Sequence, residues 1–144
     1  MSQAIQDYLK TIYALSATRR AVTTGVLAQR LRVAPPSATN MVKRLARLGL
    51  VRYMPYRPVE LTTAGRRLAL GIVRRHRLLE LYLEKMVGIG IAHVHEEAES
   101  LEHVLSDALE MRLDEILGYP SVDPHGEPIP RGRSSRAREV RRHS

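Results

Sequence analysis

The adjacent prolines Pro35-Pro36 constrain the fold most, because proline lacks a backbone N–H and enters a helix comfortably only in its first turn. A helix before them must stop, and a helix after them starts there. Upstream, Ile5, Tyr8, Leu9, Ile12, Tyr13 and Leu15 recur at the three-to-four spacing of an amphipathic helix over residues 2–17. Thr23 or Thr24 is placed to cap a short helix through Val26, Leu27, Ala28 and Leu31, and a turn leads into the proline pair. Pro36 then opens a helix through Met41, Val42, Leu45 and Leu48, which Gly49 ends. The β-formers Val51, Tyr53, Val59 and Leu61, on either side of Pro55-Tyr56-Arg57-Pro58, predict a two-stranded hairpin over 50–61. The expectation is a helix-turn-helix followed by a wing.

Helical spacing resumes at Thr62 or Thr63 and continues through Leu68, Ile72, Val73, Leu78, Leu79 and Leu83 to near Gly88. Shorter helices are expected over 92–105 and 107–117, the second stopped by Gly118-Tyr119-Pro120. Residues 119–130 hold four prolines and a glycine, and 131–144 are rich in arginine and serine, so order is expected to fade there. The predicted class is mostly α. Residues 1–72 form a winged helix-turn-helix domain, 73–130 a second helical domain and 131–144 a basic tail.

Charge divides along the same lines. Residues 1–77 carry 15 Lys/Arg against Asp7 and Glu60, a net +13, whereas 78–130 carry Lys85 and Arg112 against 12 acids, a net −10. The tail adds +5. A basic front suits a polyanion such as DNA, and an acidic second half with His76 at its edge and His93, His95, His103 and His125 within it suits a cation. Cysteine is absent, which excludes disulfide frameworks and thiol nucleophiles. With no apolar run of membrane-spanning length and no signal-like start, the chain reads as cytoplasmic and soluble, without a membrane partner.

In a winged helix-turn-helix the second helix enters the major groove while its flanks and the wing hold phosphates. That helix offers Pro36 at its start, then Ser37, Thr39, Asn40, Lys43 and Arg44. Ser37, Thr39 and Asn40 suit base edges, while Lys43, Arg44 and the wing residue Arg57 suit phosphates or guanines.

The second half contains His95-Glu96-Glu97-Ala98-Glu99-Ser100-Leu101-Glu102-His103. On a helix, His95, Glu99, Glu102 and His103 fall within about 100° of one another, giving one face with two imidazoles and two carboxylates. His76 and Glu80 share a face on the preceding helix. Oxygen and nitrogen donors without sulfur suit divalent manganese or iron and also accept zinc, cobalt and nickel.

"DYLKTIY" at 7–13, "LTTAGRRLA" at 61–69, "RRHRLLE" at 74–80, "HEEAESLEH" at 95–103 and "DPHGEPIP" at 123–130 together resemble the diphtheria toxin repressor family, particularly its manganese-sensing branch. The resemblance spans about residues 3–130 and implies a metal-dependent, homodimeric DNA-binding repressor whose later helices bind metal and dimerise. It stops before the SH3-like domain of longer members. By that resemblance the primary metal site falls on Asp7, Glu99, Glu102 and His103. A second site falls on His76, Glu80 and His95, as in iron-type members, or on Glu80 with Asp123 and His125, as in manganese-type members; the residues fit either. The iron-sensing branch has methionine and cysteine where this chain has Asp7 and Glu99, so Mn(II) is the expected cofactor and Fe(II) the alternative. Lys10 stands where some manganese sensors carry a glutamate ligand, which argues against their closely spaced binuclear site.

The implied mechanism is metal-activated repression. A cation joining Asp7 to Glu99, Glu102 and His103 relieves carboxylate repulsion and fixes two recognition helices roughly 34 Å apart, the spacing of half-sites in a palindromic double-stranded operator. Leu101, Val104, Leu105, Leu109, Leu113 and Leu117 are candidates for the dimer interface or the core. An enzyme acting on a small-molecule substrate is not expected, since no serine, cysteine or HExxH pattern supports a hydrolase. The competing expectation is a metal-independent winged-helix regulator of the multiple-antibiotic-resistance type.

Overall fold

The computed structural model describes residues 1–132, so the expectation for most of the basic tail lies outside the described residues. The chain forms two compact units, Met1–Leu70 and Gly71–Ser144.

In the first unit, α1 (Gln3–Ala17) starts at Ser2, whose hydroxyl accepts from the Ile5 amide, and buries Ile5, Tyr8, Leu9, Ile12 and Leu15. Thr23 caps α2 (Thr24–Leu31) by accepting from the Val26 amide at 3.0 Å. Arg32, in the left-handed conformation at φ 56°, ends it. Helix α3 (Pro35–Arg47) begins one residue before the expected Pro36. Both prolines fit its first turn because no intrahelical partner is needed there. Gly49, at φ 75°, terminates α3, and the Leu50 amide returns to the Leu45 carbonyl at 2.9 Å.

The wing is minimal: β1 (Val51–Arg52) and β2 (Glu60–Leu61) pair antiparallel, Val51 opposite Leu61. The Val59 amide donates to the Val22 carbonyl at 2.7 Å and ties the hairpin to the helices. Thr62 accepts from the Gly65 amide and donates to the Gly49 carbonyl, so one hydroxyl both caps α4 (Thr63–Tyr82) and anchors the wing. Gly65 is required for room, since a Cβ there would lie 1.9 Å from the Leu50 carbonyl oxygen.

In the second unit α4 ends in a π-helical turn, Leu83–Val87, closed by Gly88 at φ 78°. Helix α5 (Val94–Leu101) is shorter than the expected 92–105. Ser106 needs extended backbone to cap α6 (Asp107–Ile116), so the chain leaves the helix before it. Leu79, Leu83, Val94, Ala98, Leu105 and Leu113 form one core, and Leu78, Leu81 and Ile129 another. Of the six candidate interface residues, Leu105 and Leu113 are buried in the first of these cores and Leu117 packs against the second, whereas Leu101, Val104 and Leu109 remain exposed.

Residues 119–130 correct the expectation of fading order. Val122 and Pro128 form an antiparallel bridge, and the Asp123 carboxylate accepts from the His125 and Glu127 amides, both at 2.9 Å. Gly126 turns the chain at φ 81°, and the Ile129 amide donates to the Ser121 carbonyl. A side-chain carboxylate supplies the acceptor that organises the turn, so its prolines stiffen the loop instead of marking disorder.

Candidate functional site

On α3 the residues Ala38, Val42 and Leu45 face the core. Pro36, Ser37, Asn40, Lys43 and Arg44 are exposed, and Thr39 is half-buried. The helix therefore presents the short polar residues and the two cations on surface outside its apolar stripe. At the wing, Tyr56 takes the left-handed conformation at φ 65°, and the adjacent Arg57 is exposed. Arg47 and Arg52 are also exposed, additions to the basic surface that the choice of groove-facing positions missed.

The second unit gathers ionisable side chains around α4. His76 and Glu80 stand one turn apart on it, with His76 Nε2 2.6 Å from Glu80 Oε1. Helix α5 contributes His95, whose Nδ1 lies 3.1 Å from His76 Nε2 and 3.0 Å from the same Glu80 oxygen. The 119–130 loop contributes His125, whose Nδ1 lies 3.0 Å from Glu80 Oε2. The two second-site arrangements left open by the sequence thus converge on one carboxylate, each using a different oxygen. Asp123 sits beside them with Oδ2 4.0 Å from His125 Nδ1, while its Oδ1 builds the turn.

Glu80 is only 2% exposed, and its hydrogen-bond partners among the described residues are imidazoles. Burial alone would raise its carboxyl pKa; hydrogen bonding and charge from His76, then His95 and His125, carry it down to about 2. His95 and His125 are 59% and 42% exposed at the side chain, so the cluster opens to solvent on their side.

Glu102 is fully buried at the C-terminal end of α5. Its Oε2 lies 2.8 Å from His76 Nδ1 and its Oε1 3.4 Å from His103 Nε2. His76 therefore touches Glu80 with one ring nitrogen and Glu102 with the other. Glu99 stays half exposed, 3.1 Å from His95 Nε2. Helix α5 proper stops at Leu101, but its C-cap Glu102 keeps right-handed helical backbone and donates its amide to the Ala98 carbonyl at 2.9 Å, so that carboxylate still follows the helical turn. Asp7 lies on α1 in the first unit, half-buried.

The donor chemistry fits a divalent cation. His76 Nε2, His95 Nδ1 and Glu80 Oε1 form a triangle with edges of 2.6, 3.0 and 3.1 Å, too many mutual contacts for the available protons to bridge with good geometry. Donors on one face of an octahedral ion with bonds of roughly 2.1 Å stand about 3.0 Å apart, against about 3.4 Å around a tetrahedral ion. His76 with Glu80 and His95, and Glu80 with Asp123 and His125, each offer three ligand atoms within 4.8 Å of one another.

Comparison with known families agrees with both halves. The family described as iron dependent repressor, N-terminal DNA binding domain, matches residues 1–59, and iron dependent repressor, metal binding and dimerisation domain, matches 62–131. A diphtheria toxin repressor from Corynebacterium efficiens is 42% identical over 123 residues, covering 85% of this chain and 54% of the relative. The iron-dependent repressor IdeR of Mycobacterium leprae is 40% identical over 123 residues, with the same coverage of 85% and 54%. The chain thus spans about half the length of these curated relatives. A solved manganese-dependent transcriptional repressor in complex with manganese superposes with a TM-score of 0.81 at 46% identity, covering 90% of this chain and 59% of that one. ScaR with bound zinc gives 0.79 at 38% identity, covering 88% and 59%.

Proposed function

Because the chain belongs to the iron-dependent repressor family, we propose that it is a metal-dependent transcriptional repressor: a homodimer that binds a palindromic operator when loaded with Mn(II) or Fe(II), controlling metal-ion homeostasis. The observation that carries this reading is the burial of two carboxylates, Glu80 and Glu102, among imidazoles. Removing a carboxylate from water costs several kcal/mol unless a cation or hydrogen bonds compensate. A bound divalent ion supplies that compensation and removes the repulsion between neighbouring acids.

Asp7, Glu99, Glu102 and His103 are proposed as the primary ligand set, with Asp7 assigned by family resemblance. Glu80, supported by His76 and His95 on one oxygen and by His125 and Asp123 on the other, is proposed as the centre of the second site. Its donors are hard or borderline with no sulfur, which favours Mn(II) over softer-site metals and leaves Fe(II) next. His76 holds Glu102 through Nδ1 while presenting Nε2 to Glu80, so a ligand that fixes one nitrogen's role also orients the carboxylate on the other.

Ser37, Thr39 and Asn40 read base edges, Pro36 starts the reading helix, and Lys43, Arg44 and Arg57 hold phosphates or guanines. A metal alters this binding only through differential affinity for the DNA-competent state. Fluorescence anisotropy on the promoter of a metal-uptake gene tests the proposal. Tight binding is expected with Mn(II) and weak binding with chelator. Equal binding in both would instead favour a metal-independent regulator.

A further inference from the structure

Nothing in the chemistry of the Glu80 cluster explains how His125 is delivered to it. The side chain is 42% exposed, so packing does not hold the imidazole from the solvent side, and its placement must come from the backbone of the 119–132 loop. That backbone is gripped from α4, one and two turns before Glu80. The Arg74 guanidinium, 4% exposed, donates from Nη1 to the Pro130 carbonyl at 3.1 Å and from Nη2 to the buried Asp114 carboxylate at 3.0 Å. Arg77 donates to the Pro128 carbonyl. Ile129, between these two prolines, packs against Leu78 and Leu81 of the same helix.

A proline has no N–H, so its carbonyl is the only backbone hydrogen-bonding group that Pro128 or Pro130 can offer. The two arginines take both. Among the described residues the buried Nε of Arg74 has no hydrogen-bond partner, and it lies 3.7 Å from Glu110 Oε2. The chain passes over it at Gly132, where a Cβ would sit 2.5 Å from Nε and 2.8 Å from Cζ. Leaving a buried donor unpaired costs about 1–3 kcal/mol. The guanidinium is therefore set by Asp114 and the loop carbonyl, not by its own best pairing.

We propose that Arg74 and Arg77 latch the 119–132 loop onto α4 and thereby position His125 as a ligand of the second cation site. They are positioning residues, and the inference rests on the Glu80 site proposed above. Asp123 shapes the turn, Arg77 and Arg74 hold its returning strand, and the turn carries His125 Nδ1 to Glu80 Oε2. By linkage, an ion bound at Glu80 and His125 protects the loop as much as the latch strengthens the ion's binding.

Mn(II) titration of the full chain, followed by electron paramagnetic resonance, tests the latch in Arg77→Ala and Gly132→Ala. Arg77 lies at the exposed edge and Gly132 on a loop, and circular dichroism checks that both variants fold. Each variant is expected to weaken the second ion by ~10-fold to 100-fold, as loss of a ligand-orienting partner does, while leaving the first ion unchanged. The same substitutions in a His125→Ala background are expected to cause no further loss, because the latch acts only through that imidazole. Amide exchange at His125 and Glu127 is expected to quicken in both variants. Two ions bound as tightly in the variants as in wild type, or an equal loss persisting without His125, overturns the latch alone. A wild-type chain that takes up one ion and is indistinguishable from His125→Ala overturns the second-site reading and the latch together.

Discussion

Among the described residues, the unit Met1–Leu70 buries hydrophobic side chains and no charged one, whereas the unit from Gly71 onward buries Arg74, His76, Glu80, Glu102, Asp114 and Asp123. The first unit keeps its cations on the surface, where they cost little and can meet phosphates. Its helices are held by hydrophobic packing, with hydroxyl caps at the starts of α1 and α2. The second spends interior space on groups that are expensive to bury, arranged around one helix and one loop. Hydrophobic burial makes the energy of the first unit insensitive to charge, whereas the buried ionisable groups of the second tie its energy to their protonation.

Substitutions that act on one unit alone sharpen this contrast. The largest effect is expected for Glu102→Ala, which removes a fully buried carboxylate. It should abolish the Mn(II)-dependent part of operator binding, a coupling on the order of 1–3 kcal/mol in allosteric proteins. Chelator-level DNA binding and the fold of the first unit should be unchanged. Anisotropy with and without Mn(II) measures it, and a full Mn(II) response in the variant would break the assignment.

Next comes the pH dependence of the metal-free chain. The Glu80 carboxyl is held at about 2 against an ordinary value of 4.5, so its stabilising contribution is complete above about 4.5 and is lost as pH falls toward 2. Urea unfolding should find Glu80→Gln less stable than wild type at neutral pH. The gap should close as the medium is acidified through that window. A gap independent of pH would remove the charge from the explanation.

The smallest effect belongs to the first unit. Arg57→Ala should weaken binding a few-fold to all DNA sequences alike, flatten the salt dependence by about 0.9 in slope for one lost phosphate contact, and leave Mn(II) uptake untouched. A changed base preference would mean that the wing reads sequence.

Local patterns account for most of what the sequence discloses. The helices of the first unit follow from apolar spacing, the cap at Thr23 from a hydroxyl before a helical run, and the His76-Glu80 contact from a four-residue interval. Contacts between distant residues were illegible in this way. Arg74 meets Asp114 across 40 residues and Pro130 across 56, and no periodicity reports such pairings. The 119–130 segment is ordered where composition predicts fading order for the same reason: composition registers its prolines, but not the Asp123 carboxylate that organises the turn or the arginines that hold it. Helix α5 is shorter than its pattern, and Ser106 beyond it takes the extended backbone that caps α6.

If the buried acids of the second unit serve the reading helix of the first, metal and operator must strengthen each other by the same factor. Mn(II) affinity measured on the full chain with and without saturating operator DNA tests this directly. The account predicts tighter Mn(II) binding in the presence of operator, by the factor through which Mn(II) tightens operator binding. Identical Mn(II) affinity in the two samples would contradict it.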